Sequence, residues 1–189
     1  METGSARIAT VAGDRERFLG FLPRLAAAEL LILSFPLYVD SPPAPVIRAL
    51  EWIAAGRKGA AGQRQRLAVL VNSGFPEASH SETAVAICRR FATEAGFEWA
   101  GALALGGGGA LDGRPLHSFG RLLRGVRQAL DMGAAALAAD LPIPHEATVL
   151  MGRPLMPVPL YLALGTLGFR RDARRAGMLK HLLDRPYTR

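Results

Sequence analysis

The chain reads as an α/β protein in which a parallel sheet is covered by helices on both faces. Two observations predict this. Apolar runs of five to seven residues alternate with amphipathic stretches three times in succession, the pattern of strand, loop and helix repeated along a parallel sheet. The runs are continuous, as in Leu67-Ala68-Val69-Leu70-Val71, which is how a strand buried on both sides is written. At 189 residues, half of them hydrophobic and 21% charged, the chain has the length and composition for one packed domain and is far from the composition of disorder.

Residues 7–12 (Arg-Ile-Ala-Thr-Val-Ala) predict a short strand, after which Gly13-Asp14 turns into a helix with Phe18, Leu19, Leu22 and Leu25 at helical spacing. Residues 30–35 predict a buried strand. It breaks into a loop rich in proline, Tyr38 and Asp40, and Pro45 then suits the first turn of a helix whose inward stripe is Val46, Ile47, Leu50 and Ile53. Residues 67–71 are the next strand, emptying into Asn72-Ser73-Gly74-Phe75-Pro76. Ser79-His80-Ser81-Glu82 has the spacing of a capping box, and Val85, Cys88, Phe91, Ala92 and Ala95 follow on one helix face that Gly96 closes. Residues 99–105 make a further strand, then Gly106-Gly107-Gly108-Gly109, then a long helix predicted over 119–138 and stopped by Pro142 and Pro144. From residue 147 the pattern changes to proline-interrupted apolar residues over 156–169 and then a basic helix, too short and broken to span a bilayer.

Charge is unevenly placed. The net charge is +7, and residues 150–189 carry +6 of it. Such a segment most often is a solvated face. It lacks interleaved aromatics and a recognisable module for nucleic acid, so no specific nucleic-acid partner is expected. Peripheral contact with an anionic membrane is the less favoured reading of Leu160, Tyr161, Leu164 and Leu167 beside Arg170, Arg171, Arg174 and Arg175, with packing against the body or a second subunit preferred. The single cysteine, Cys88, reads as a core residue and, with no secretory signal, fits a cytoplasmic setting. The histidines at 80, 117, 145 and 181 show no metal-ligand spacing, and no Gly-x-Ser-x-Gly elbow is present, so neither a metal nor a hydrolase triad is expected.

In open α/β sheets ligands collect outside the carboxyl ends of the strands, which singles out residues 36–41. Taken with Pro43-Ala44-Pro45, the segment Phe35-Pro36-Leu37-Tyr38-Val39-Asp40, followed by Val71-Asn72-Ser73-Gly74-Phe75 and by Gly106-Gly107-Gly108-Gly109, resembles the flavodoxin-like NAD(P)H-dependent FMN reductase family. The tail motifs Gly168-Phe169-Arg170-Arg171, Ala173-Arg174-Arg175-Ala176-Gly177 and Leu183-Asp184-Arg185-Pro186-Tyr187 are similar to a C-terminal extension on some oxidoreductases of this kind. The resemblance implies a three-layer flavodoxin-like sandwich. It implies FMN, its ring held between Pro36, Leu37, Tyr38, Val39 and Asp40 on one side and Asn72, Ser73, Gly74 and Phe75 on the other, with Gly106, Gly107 and Gly108 passing near. It also implies NAD(P)H as hydride donor, a small-molecule electron acceptor such as a quinone or an aromatic, and no catalytic residue from the protein, since the flavin performs the hydride chemistry.

The chain departs from the family at its start. Members open with a strand and a Ser/Thr/Arg-rich phosphate loop, and nothing before Pro36 has that form. The expectation is an N-terminally incomplete flavodoxin-like domain over 1–146, carrying a basic helical C-terminal extension over 147–189. In the strand order 2-1-3-4-5 the missing strand is the central one, so residues 30–35 should form an exposed apolar edge that favours a homo-oligomer, in the simplest case a dimer. The alternative is a non-catalytic remnant that serves as a binding or interaction protein.

Overall fold

The computed structural model describes residues 14–57, 64–111 and 113–184. The expected strand at 7–12 lies outside them. The chain divides into two units, Met1–Leu155 and Met156–Arg189; the first is an α/β sandwich.

Helix α1 (Arg15–Ala26) starts where the Asp14 carboxylate accepts from the Glu16 and Arg17 amides at 2.9 and 3.3 Å, satisfying amide donors that the helix itself leaves free. Strand β1 (Leu30–Pro36), helix α2 (Ala44–Arg57), strand β2 (Arg66–Asn72), helix α3 (Glu82–Glu94), strand β3 (Glu98–Leu105), helix α4 (Arg124–Ala138) and helix α5 (His145–Met151) follow. The three strands are parallel in the order β1-β2-β3, with Leu30 opposite Arg66 and Arg66 opposite Glu98. All three therefore deliver their following loops to one end of the sheet.

Register is interrupted once, between Leu67 and Ala68, where β3 carries one extra residue: Trp99 faces Leu67 but Gly101 faces Ala68. Gly101 takes φ +114°, and an added Cβ would stand 2.8 Å from that of Ile143, so only glycine serves the bulge. The extra residue lets Ala100 and Leu103, an odd number apart, share one core.

Each face of the sheet has its own core. Phe18 of α1, Val46, Ala49, Leu50 and Ile53 of α2 and Ala84, Cys88 and Ala92 of α3 bury Leu33, Phe35, Leu67, Val69 and Val71. On the other face Val126 and Ala129 of α4 and Ala147 and Met151 of α5 cover Ala68, Ala100, Leu103 and Leu105. Cover there is incomplete over β1, where Ile32 is 49% exposed and Ser34 and Pro36 are open. At the amino ends of the strands the nearly buried Arg66 donates to the Leu137 and Leu141 carbonyls and pairs with Asp140, which Arg64 also binds together with Glu98. This network ties the end of α4 to β2 and β3.

Several expectations are corrected. Ser79 caps nothing: residues 78–81 form a 3-10 turn, α3 begins at Glu82, and the buried Ser81 hydroxyl in the capping position has no hydrogen-bond partner among the described residues. The helix expected from 119 begins at Arg124, because Gly120 takes φ +56° and separates it from a 3-10 turn at Leu116–Phe119. Helix α5, which no stripe in the proline-rich sequence signals, lies in the first unit, and that unit runs to Leu155, past the boundary expected at 146. In the second unit the prolines do not interrupt helix α6 (Val158–Arg175): Pro157 is its capping residue and Pro159 lies in its first turn, where a missing N–H costs nothing. Gly177 then ends it with φ +71°. No described helix is long and apolar enough to cross a membrane.

Candidate functional site

The loops after the three strands meet at the carboxyl end of the sheet, held by backbone hydrogen bonds. The Leu37 amide donates to the Asn72 carbonyl at 2.7 Å, Ser73 to Leu105 at 2.9 Å, Gly108 to Ser73 at 2.7 Å and Gly107 to Phe75 at 2.6 Å. Every segment named from the sequence takes part in this lattice.

The individual residues do different things. Leu37 packs against the α1–α3 core and anchors the first loop. Beyond it Tyr38 and Ser41 exchange two backbone hydrogen bonds at 3.0 and 3.1 Å around Val39 and Asp40, whose φ angles are +49° and +57°. Two positive central φ angles define a type I′ turn. The turn holds the Tyr38 ring, 63% exposed, and the Val39 side chain, 96% exposed, out from the loop. A β-branched residue in this region is strained, and such strain concentrates at functional loops.

In the second loop the buried Ser73 hydroxyl accepts from the Phe75 amide at 3.1 Å and fixes a local turn. Gly74 is exposed, with open space where a side chain would stand. The Phe75 ring is half exposed and stacks on His80 at 4.3 Å. His80 in turn stands 3.8 Å from both Asp40 and Glu77, joining the first two loops. Its role was missed because five residues of sequence separation carry no signal of a ring stack.

The glycine run serves close backbone approach. A Cβ on Gly106 would lie 2.4 Å from the Pro76 carbonyl oxygen, and one on Gly108 would lie 3.0 Å from that of Ser73. Gly107 between them takes φ +75°. These glycines let the third loop close on the second.

Pro36 and Asn72 also line an open groove of about 350 Å³, together with Ser34, Leu70, Leu105 and Met151. The groove lies along the incompletely covered strip of the sheet and is mainly apolar, with the Asn72 amide and the Ser34 hydroxyl as polar groups. Cys88 lies in the core of the opposite face, where burial pushes its thiol up to about 11; it has no part in the site. No three His, Cys, Asp or Glu side chains among the described residues are grouped to hold a metal. Compared with models of known protein families and with curated proteins, the chain matches none.

Proposed function

We propose that this chain is a flavodoxin-like, FMN-dependent NAD(P)H oxidoreductase, passing reducing equivalents to a small electron acceptor such as a quinone. The observation that carries the reading is the convergence of residues 36–41, 72–76 and 106–108 at the carboxyl end of a parallel sheet, beside an apolar groove. The layering supports it. Helices α1, α2 and α3 share one face and α4 takes the other, as they would if α1 followed the family's second strand and β1, β2 and β3 were its third, fourth and fifth.

The residues of the three loops fit the ring of such a cofactor better than its phosphate. Exposed Tyr38 offers a planar face on the first loop, Asn72 offers a hydrogen-bonding amide, and the groove that Asn72 lines is mainly apolar. FMN, when bound, supplies the hydride chemistry. The chain's task is to hold the ring, fix its polar edge and keep the acceptor side dry. The decisive experiment is the visible spectrum after FMN is added and the protein is passed through gel filtration. Retained flavin absorbance is the expected result; a folded, colourless protein refutes the reading.

The edge of β1, unpaired among the described residues, and the half-exposed Ile32 beside it favour a second reading, a non-catalytic interaction module that associates through this strand. It predicts a colourless protein that sediments as a dimer or in complex; a colourless monomer would exclude both.

A further inference from the structure

The apolar groove does not end at the sheet. Its walls share Leu116 and Leu130 with a second cavity of about 430 Å³ whose other lining residues are Arg124, Arg127, Gln128 and Asp131, all on α4. The two cavities therefore adjoin along one side of that helix. One is floored by Leu70, Leu103 and Leu105 of the sheet; the other presents two guanidinium groups and a carboxamide against a single carboxylate.

Arg127 is under-used by the fold. Its Nη2 donates to the Gly120 carbonyl at 3.3 Å, whereas its Nε is buried with no acceptor among the described residues. Its guanidinium makes no ion pair among the described residues, which leaves the charge for an anion in the cavity. A groove that is apolar at one end and cationic at the other matches a flat apolar body carrying an anionic tail.

We infer that Arg124 and Arg127, assisted by Gln128, form the anion site of the ligand, so that the phosphate of FMN is held from α4 and not by a phosphate loop at the start of the domain. This rests on the flavin reading above. The arginines are suited to phosphate because their planar, permanently charged forks bind its oxygens in pairs. With the ring over the Asn72 end of the groove, the phosphate would lie towards Arg124 and Arg127.

The test compares FMN with riboflavin, which lacks the phosphate, by quenching of flavin fluorescence in the full chain and in the double variant Arg124→Gln, Arg127→Gln. The expected result is that the full chain binds FMN about tenfold or more tightly than riboflavin. The double variant should bind the two about equally, with its riboflavin affinity unchanged. If the double variant fails to fold, Gln128→Glu, which brings a second carboxylate to the cavity wall, should weaken FMN selectively. Equal binding of both flavins by the unaltered chain, or an FMN preference that survives the substitutions, overturns the inference while leaving the flavin reading intact. Binding of neither flavin overturns both.

Discussion

Replacing Val39 by asparagine should make the protein more stable, although it substitutes a polar residue for an apolar one. The reason lies in the backbone. Tyr38 and Ser41 close a two-residue turn with bonds of 3.0 and 3.1 Å, which holds residue 39 at φ +49°. A residue with a Cβ pays about 1–2 kcal/mol for that region, and valine adds its branching. Asparagine tolerates the region because its short amide bonds locally, and it avoids the extra unfolded-state entropy that glycine would bring. Nothing offsets the gain: the Val39 side chain is 96% exposed, so almost no buried apolar area is lost. The net effect should be a stabilisation of about 1 kcal/mol, or about 2–4 °C in Tm for a chain of this size. Urea titration followed by circular dichroism reads it as a higher midpoint with an unchanged slope. Val39→Ile, which keeps the branching and the strain, should stay within about 0.5 kcal/mol of the parent. A Val39→Asn variant no more stable than the parent would refute the argument. If the chain nevertheless retains valine at a strained and exposed tip for contact with the ligand, the same variant should bind FMN more weakly.

Three further outcomes follow from the packing and the charges. Gly106→Ala places a methyl 2.4 Å from the Pro76 carbonyl oxygen and 2.9 Å from the Ala78 nitrogen, both backbone atoms with little room to yield; the cost should be about 1–3 kcal/mol in a urea titration, with loss of flavin retention. Cys88, fully buried with its thiol pushed up to about 11, should resist maleimide in the native protein at mildly alkaline pH and react only on unfolding. Because the folded state keeps its proton to higher pH than the unfolded state, stability should fall as pH rises through the ordinary thiol range towards that value; rapid native labelling would count against it. The Arg64 guanidinium holds the Asp140 carboxyl below its ordinary range, so its contribution is present at neutral pH and lost as pH falls through the lowered value. Asp140→Asn tolerates the same φ of +62° and should flatten the acid limb of the stability profile; an unaltered limb would assign it elsewhere.

The strands and the inward faces of α2 and α3 were legible because continuous apolar runs and helical stripes are local signals. Val46, Leu50, Ile53 and Cys88 are buried as the spacing predicts. Helix starts were harder, since they turn on single dihedral angles: Gly120 delays α4, and Ser81 occupies the capping position without capping. Pro157 and Pro159 misled because a proline that breaks a helix interior is welcome in its first turn. At the site, the rule that parallel strands present their loops at one end singled out residues 36–41, and the family resemblance named 72–75 and 106–108; the three segments meet through backbone hydrogen bonds. Neither revealed that Gly106 and Gly108 are spent on loop contact, or that Arg124 and Arg127 stand beside the groove. Those relations join residues distant in sequence.

The unequal cover of the sheet also sets an order in which the molecule comes apart. Strand β2 is paired on both edges and buried on both faces, so its amides should exchange with solvent only on global unfolding. Among the described residues strand β1 has one partner and one open face, and it can fray at lower free energy while β2 and β3 stay joined. The loop that bears Tyr38 and Val39 hangs from that first strand to loosen. Local breathing and ligand access are thus coupled in this fold, and an occupant of the groove that bridges β1 to α4 would raise the exchange protection of β1 more than that of any other strand.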